Sequence, residues 1–183
     1  MPLIKTGQPT VDPFVHVSDD APLPADGPII VGLARWQEDR GLIEPRSAAV
    51  GVHLKPGDPV GQISGDLDRL TVVALEFPKF NDGRAMSQAR LLRERHGYRG
   101  EIRATGKVLR DLLLFMHRCG FDAFEVADNV TAEVVTKSLA EFSAFYQSAA
   151  DGEVSIVERR HGETAREAGS PSAKARTAAC CDR

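Results

Sequence analysis

Short apolar runs alternating with amphipathic stretches predict an α/β chain, built from successive βα units on a mostly parallel sheet. Three observations carry that prediction. Leu70 to Glu76 (LTVVALE) is a near-continuous apolar run of strand length, the pattern of a parallel strand covered on both faces. From Lys107 to Arg118, the residues Val108, Leu109, Leu112, Leu113, Phe115 and Met116 recur at helical spacing and make a wide apolar face. Gly41, Gly97 and Gly120 stand where helices would end. A chain of 183 residues suits one domain with its own core.

The elements follow in order. Pro28 to Leu33 is an apolar run bounded by turn residues and reads as a buried strand, with a short helix through Trp36 ending near Gly41. Ala48 to Leu54 is the second strand. Asp58 and Pro59 start a helix as N-cap and first-turn proline, with Val60, Ile63 and Leu67 at helical spacing. The strand at Leu70 is followed by a helix from Arg84 to His96, a short strand Glu101 to Thr105, the helix Lys107 to Arg118, and a last strand Phe121 to Val126. Asp128 or Asn129 can cap a final helix whose buried stripe is Val135, Leu139, Phe142 and Tyr146. Such alternation implies right-handed crossovers. Periodicity leaves two architectures open, an open doubly wound sheet and a partial βα barrel. In both, ligands sit beyond the carboxyl ends of the strands.

Residues 1–27, with Pro2, Pro9 and Pro13, read as an irregular lead-in, and 28–150 as a single α/β domain. From 151 to 183 the chain is small and polar, too poor in bulky apolar residues to offset its ordering entropy, and is expected to be a disordered tail. Three cysteines, Cys119, Cys180 and Cys181, are too few for a secreted disulfide framework. No apolar stretch reaches membrane-spanning length and no secretory leader is visible, so a cytoplasmic protein is expected.

The net charge of −3 argues against nucleic acid or membrane as a partner, yet its distribution is uneven: residues 79–118 carry 10 basic and 4 acidic side chains. The basic segment opens with Phe77-Pro-Lys-Phe-Asn-Asp-Gly-Arg84, on the ligand-facing edge if the topology is as expected. Lys79 and Arg84, the first-turn N–H groups after Gly83, and the Ser87 hydroxyl would suit an oxyanion. Asp82 would orient Arg84, carry a proton, or simply cap the helix. On the neighbouring loop, Arg103, Thr105 and Gly106 would face the same pocket, so that Lys79, Arg84 and Arg103 converge. Arg90, Arg93, Arg95 and Arg110 are expected to face water, Arg90 paired with Glu94 at i,i+4. Asp111 is expected on an exposed helix face, and Cys119 as a buried structural thiol. His53 reads as a satisfied core or rim residue. The sequence carries no GxGxxG, no GxxxxGK[ST], no cluster-binding cysteine set and no HExxH, so no cofactor or metal site is recognisable.

The run FPKFNDGRAMSQARLLRERHGYRGEIRATGKVLRDLLLFMHRCGFDAFEV resembles a bacterial family of uncharacterised proteins with the pattern FPxFxDGRxxSxAxLLRxxxGYxGExRAxGxVLxDxxxxMxRCGFDxF. The matching positions include Phe77, Asp82, Gly83, Arg84, Ser87, Arg93, Gly100, Arg103, Gly106, Asp111, Cys119 and Gly120. Members are commonly encoded beside assimilatory sulfite reductase and carry the label of an oxidoreductase in sulfite reduction. The resemblance thus implies a role in sulfur assimilation, and the basic loops fit that context by offering Asp82, Arg84 and Arg103 as reactive groups for an anionic sulfur species. It equally allows a non-catalytic accessory protein that docks on sulfite reductase or its electron donor. Any redox cofactor would come from that partner.

Overall fold

The computed structural model describes residues 2–161. Among them eight strands form one sheet: β1 (Leu3–Lys5), β2 (Gln8–Thr10), β3 (Val15–Val17), β4 (Ile29–Gly32), β5 (Val50–Leu54), β6 (Leu70–Phe77), β7 (Glu101–Gly106) and β8 (Ala123–Glu125), in the spatial order β2-β1-β8-β7-β6-β5-β4-β3. From β3 to β8 every neighbouring pair is parallel. From β3 to β8 the order runs sequentially and never reverses. A doubly wound sheet needs a reversal, so of the two architectures the chain adopts the partial barrel, a curled half-barrel.

Sequential winding with one handedness returns every helix to the same face. That face holds the main core: Ile29, Val31, Val52, Leu54, Val73, Leu75, Phe77, Ile102 and Phe124 from the strands meet Trp36, Ala89, Leu92, Leu113, Met116 and Val135 from the helices. The helices are short. They are α1 (Leu33–Glu38), α2 (Arg40–Ile43), α3 (Arg84–Arg90), α4 (Leu113–Arg118) and α5 (Ala132–Leu139). A π-helical turn, Leu91–Arg95, extends α3, so the helix expected to His96 changes pitch midway. Gly97 leaves it at φ +64, the left-handed exit expected of a terminating glycine.

Several expectations are corrected. The expected helix after Asp58 is only a 3₁₀ turn, Val60–Ile63, with Pro59 at the cap. The helix expected from Lys107 starts later, because the Lys107 N–H donates to the Phe77 carbonyl of the neighbouring strand (2.7 Å). Thr131, not Asp128 or Asn129, caps α5, accepting from the Val134 N–H. That helix stops at Leu139, so Phe142 and Tyr146 fall outside its buried stripe and are exposed.

The first 27 residues, expected to be irregular, supply β1, β2 and β3. Thr6 and Gly7, both at positive φ, close a two-residue hairpin between β1 and β2, the turn geometry that matches strand twist. Pro9 is tolerated because β2 is the sheet edge. β1 then pairs antiparallel with β8.

A second compact unit comprises 144–148 and, of the described residues, 152–161. Ser155 and Glu158 form a reciprocal capping box on a helical turn at 156–161: the Ser155 N–H donates to Glu158 Oε2 (2.8 Å), and the Glu158 N–H to Ser155 Oγ (3.2 Å). The tail expected from 151 therefore begins with capped structure. Its remainder, 162–183 with Cys180 and Cys181, lies outside the described residues. No helix of the described residues is long and apolar enough to cross a membrane.

Candidate functional site

Because the helices cover only one face, the other face of β3–β8 is free to be polar. Side chains alternate along each strand. Opposite the core, Gly51, Val72 and Glu101 share one register row, and His53, Ala74, Arg103 and Ala123 the next. This concave face carries the charged chemistry of the fold.

Arg103 sits at its centre with 1% exposure. Its Nη1 donates to Asp12 (2.6 Å) and Glu125 (3.3 Å), and its Nε to Glu101 (2.9 Å). Phe14 lies under the guanidinium, 5.6 Å from ring centroid to Cζ. Lys5 reaches Glu101 from β1 (2.8 Å), and His16 reaches Glu125 (3.3 Å). Asp12 and His16 belong to the β3 end of the parallel series, Arg103 and Glu125 to the β7–β8 end. The charge network therefore ties the two limbs of the half-barrel across its interior. Burial alone would raise the Glu125 carboxyl, but hydrogen bonds from His16 and Arg103 hold it below the usual carboxylate range. Asp12, His16 and Glu125 lie close enough together to invite a metal ion. The Arg103 guanidinium already binds one oxygen of each acid, so a cation there would meet a fixed positive charge.

Above this network, at the carboxyl ends of β3, β4 and β5, opens a cavity of about 540 Å³. Its polar lining is His16, Ser18, Asp19, Gln37, His53, Lys55, Asp58 and Gln62. The site rule for parallel strands holds, but on different loops from those expected. Gln37 donates to Gln62 at one wall (3.2 Å). Gln88 on α3 donates through Nε2 to the Lys55 and Asp58 carbonyls (both 2.9 Å), which fixes the loop bearing Lys55. Asp19 leans over Gly32, where an added Cβ would come within 2.9 Å of its Oδ1.

His53 is the titratable group of this cavity with the most defined surroundings. Thr105 Oγ1 lies 3.3 Å from the Leu75 carbonyl and 3.4 Å from His53 Nε2, and so ties the ring to β7. Burial lowers its pKa below the ordinary histidine value, and the nearby Glu76 only partly offsets this. A histidine held neutral in the fold binds fewer protons than in the unfolded chain. Its stabilising share is present above the unfolded pKa, about 6.5, and is lost as pH falls below it. Thermal melts taken between about pH 7 and about pH 5 should show the wild type losing stability, and His53→Gln losing less over the same interval. Parallel curves for the two proteins would mean that His53 is not buried neutral.

The residues singled out from sequence are placed as follows. Asp82 and Arg84 pair with each other on the loop after β6, Oδ1 to Nε (2.9 Å) and Oδ2 to Nη2 (2.7 Å). Arg84 is 64% exposed, and its hydrogen bonds hold the Asp82 carboxyl at about 2. Asp82 is thus fully ionised near neutral pH and unsuited to carrying a proton there. Lys79, Gly83 and Ser87 are exposed on the same rim. The expected convergence with Arg103 does not occur, because Arg103 points into the half-barrel and its charge is taken by three carboxylates. Thr105 is part of β7 and holds His53 rather than capping a helix. Gly106, at φ +85, admits the Phe77 backbone and not a ligand: an added Cβ would lie 2.6 Å from the Phe77 carbonyl oxygen. Asp111 is exposed and Arg90 pairs with Glu94, as expected. Burial raises the Cys119 thiol, which suits a structural role. Arg93, expected to face water, instead binds the Tyr98, Gly100 and Gly120 carbonyls and Asp122.

Residues 51–157 match the model of a family described as "Bacterial protein of unknown function (DUF934)". The chain belongs to the DUF934 family. No curated protein matches it. The DUF934 segment begins at Gly51 and so contains β5 to β8, with His53, Lys55, Asp58, Gln62, Arg103, Thr105 and Glu125. The other wall of the cavity, from His16 to Gln37, comes from residues before the matched segment. His53 is the satisfied rim residue expected, while Lys55 carries no expectation from sequence. The available signal is the alternation Val52-His-Leu-Lys55, which matches Glu101-Ile-Arg-Ala-Thr105 in setting polar side chains two residues apart.

Proposed function

We propose that this chain serves assimilatory sulfite reduction by holding a small sulfur oxyanion in the cavity at the carboxyl ends of β3, β4 and β5. The observation that carries the reading is Lys55. Among the described residues its ammonium has no carboxylate partner, and it stands at the mouth of a cavity whose wall holds the neutral imidazole of His53. An ammonium supplies the charge, and the Ser18 hydroxyl and the His16 and His53 rings supply further polar contacts to a hydrogensulfite that keeps its proton. Asp19 and Asp58 also line the space; their charges favour a singly protonated anion over a dianion. The place in sulfur metabolism is supported by the resemblance of the run that opens at Phe77. The Asp82–Arg84 pair and Arg103 act in this reading as rim and scaffold, not as reacting groups. Electrons come from a partner that carries the redox cofactor.

Titration calorimetry with sulfite tests the reading. Binding is expected to release or take up a proton depending on buffer pH. Lys55→Ala is expected to weaken it roughly tenfold to a hundredfold, the worth of one charge-assisted hydrogen bond. Arg84→Ala is expected to leave it unchanged. Sulfite that produces no heat, or that binds equally to Lys55→Ala, would sink the cavity reading. A deletion strain that grows on sulfide but not on sulfite would support the metabolic placement, and equal growth on both would remove it.

A further inference from the structure

Half of the ten cations of residues 79–118 are held in ion pairs. Arg84 pairs with Asp82, Arg90 with Glu94, Arg93 with Asp122, and Arg103 with its three acids. Among the described residues, three cations of the loops after β6 and β7 have no such partner: Lys79, Lys107 and Arg110. All three are exposed. Phe77 and Gly106 are register partners at the ends of these adjacent strands, and the Lys107 N–H donates to Phe77. Phe80 and Leu109, each three residues further on, therefore leave neighbouring strand ends. They are 67% and 45% exposed. The rim thus presents an aromatic and an aliphatic side chain flanked by three cations outside any ion pair of the described residues, beside the single exposed acid Asp111, on the same carboxyl edge as the cavity.

From this we infer that the β6–β7 rim docks an acidic protein, namely the small electron carrier that the sulfite-reduction reading requires. The inference rests on that reading for the nature of the partner and on charge complementarity for the surface. Apolar residues ringed by cations match an acidic face with an apolar centre, where the charges steer the encounter and the desolvated aromatic holds it. A nucleic acid would need a longer cationic track with more than one stacking ring. The other two unpartnered cations of the basic segment, Arg95 and Arg99, lie before β7, at the opposite edge of the sheet, and provide a charge-matched control.

The probe is a purified acidic ferredoxin, titrated against the full chain and followed by calorimetry at low salt. Saturable binding is expected. Lys79→Glu/Lys107→Glu is expected to weaken it by about tenfold or more, Phe80→Ala to weaken it with folding intact, and Arg95→Glu/Arg99→Glu to leave it unchanged. Raising salt from about 50 mM to about 300 mM should weaken the wild type and bring it close to the double-reversal variant. The proposal is overturned if no binding occurs, if both reversals act alike, or if a short single-stranded oligonucleotide binds more tightly than the ferredoxin. Sulfite calorimetry on the same variants separates the two ideas. Normal sulfite binding without ferredoxin binding rejects the docking surface alone, and the reverse result rejects the cavity reading alone.

Discussion

Replacing Arg103 with methionine is expected to cost about 3–5 kcal/mol of folding stability, read from urea unfolding of the variant against the wild type. The size follows from what remains behind. Methionine fills much of the same volume and keeps contact with Phe14, so lost packing is the smaller part. The larger part is that Asp12, Glu101 and Glu125 stay on the concave face without the guanidinium that joined them. A domain of this size has only about 5–15 kcal/mol in hand, so the variant should be near the limit of folding.

The same variant carries an electrostatic signature that a packing defect lacks. In the wild type, hydrogen bonds from His16 and Arg103 overcome the burial of Glu125 and keep its pKa low. That contribution is present above the unfolded pKa and declines as pH falls through the folded one. Without Arg103 the burial effect is opposed less, the folded pKa rises, and protonation then favours the folded state. The stability gap between wild type and Arg103→Met should therefore narrow on acidification toward about pH 4. Adding Glu101→Gln and Glu125→Gln to Arg103→Met should recover much of the loss at neutral pH, because neutral partners carry no uncompensated charge. A gap constant with pH, or a triple variant no better than the single one, would show that Arg103 matters only as bulk.

How much of this was legible in the sequence varies with the range of the interaction. β6, β7 and the start of α3 are local signals and appear where their apolar patterns place them. The half-barrel is not local: strand order depends on which elements pair, and Leu70–Glu76 looks the same in either topology. An apolar parallel strand is expected to be covered on both faces, and that expectation hides the concave face. The polar side chains two residues apart, His53 and Lys55 and again along β7, are the clue, since a singly wound sheet leaves one face without helices. Charge counting located a basic segment but not its neutralisation, because the acids that consume Arg103 come from Asp12 and Glu125, distant in sequence. The β1–β2 hairpin was missed because its turn is Thr6–Gly7 and not the Asn-Gly or Asp-Gly that usually signals one.

Arg93→Met should be the second most damaging substitution, costing roughly 2–4 kcal/mol in the same unfolding measurement. The side chain is 14% exposed and its planar fork serves three segments at once. Nη1 donates to the Tyr98 (2.7 Å) and Gly100 (2.8 Å) carbonyls, Nε to Gly120 (3.0 Å), and Nη2 pairs with Asp122. Asp122 in turn accepts the Ile102 N–H (3.1 Å), so the clasp reaches the start of β7. The glycines beside it are there for space. At Gly120, with φ +104, an added Cβ would fall 2.5 Å from Arg93 Cγ, and at Gly100 it would collide with the Tyr98 hydroxyl. Tyr98 is itself buried, 5.7 Å under the guanidinium, with its hydroxyl on the Leu70 carbonyl (3.1 Å). Arg93, Gly100 and Gly120 thus form one structural joint within the segment that matches DUF934, located at the amino ends of β7 and β8 and away from the cavity. Lysine should not rescue the variant, because one ammonium cannot span four acceptors in a fixed plane. Arg90→Met, which removes an exposed i,i+4 pair one turn away, should cost less than about 1 kcal/mol. Near-equal losses at Arg90 and Arg93 would show that the clasp contributes no more than a surface ion pair.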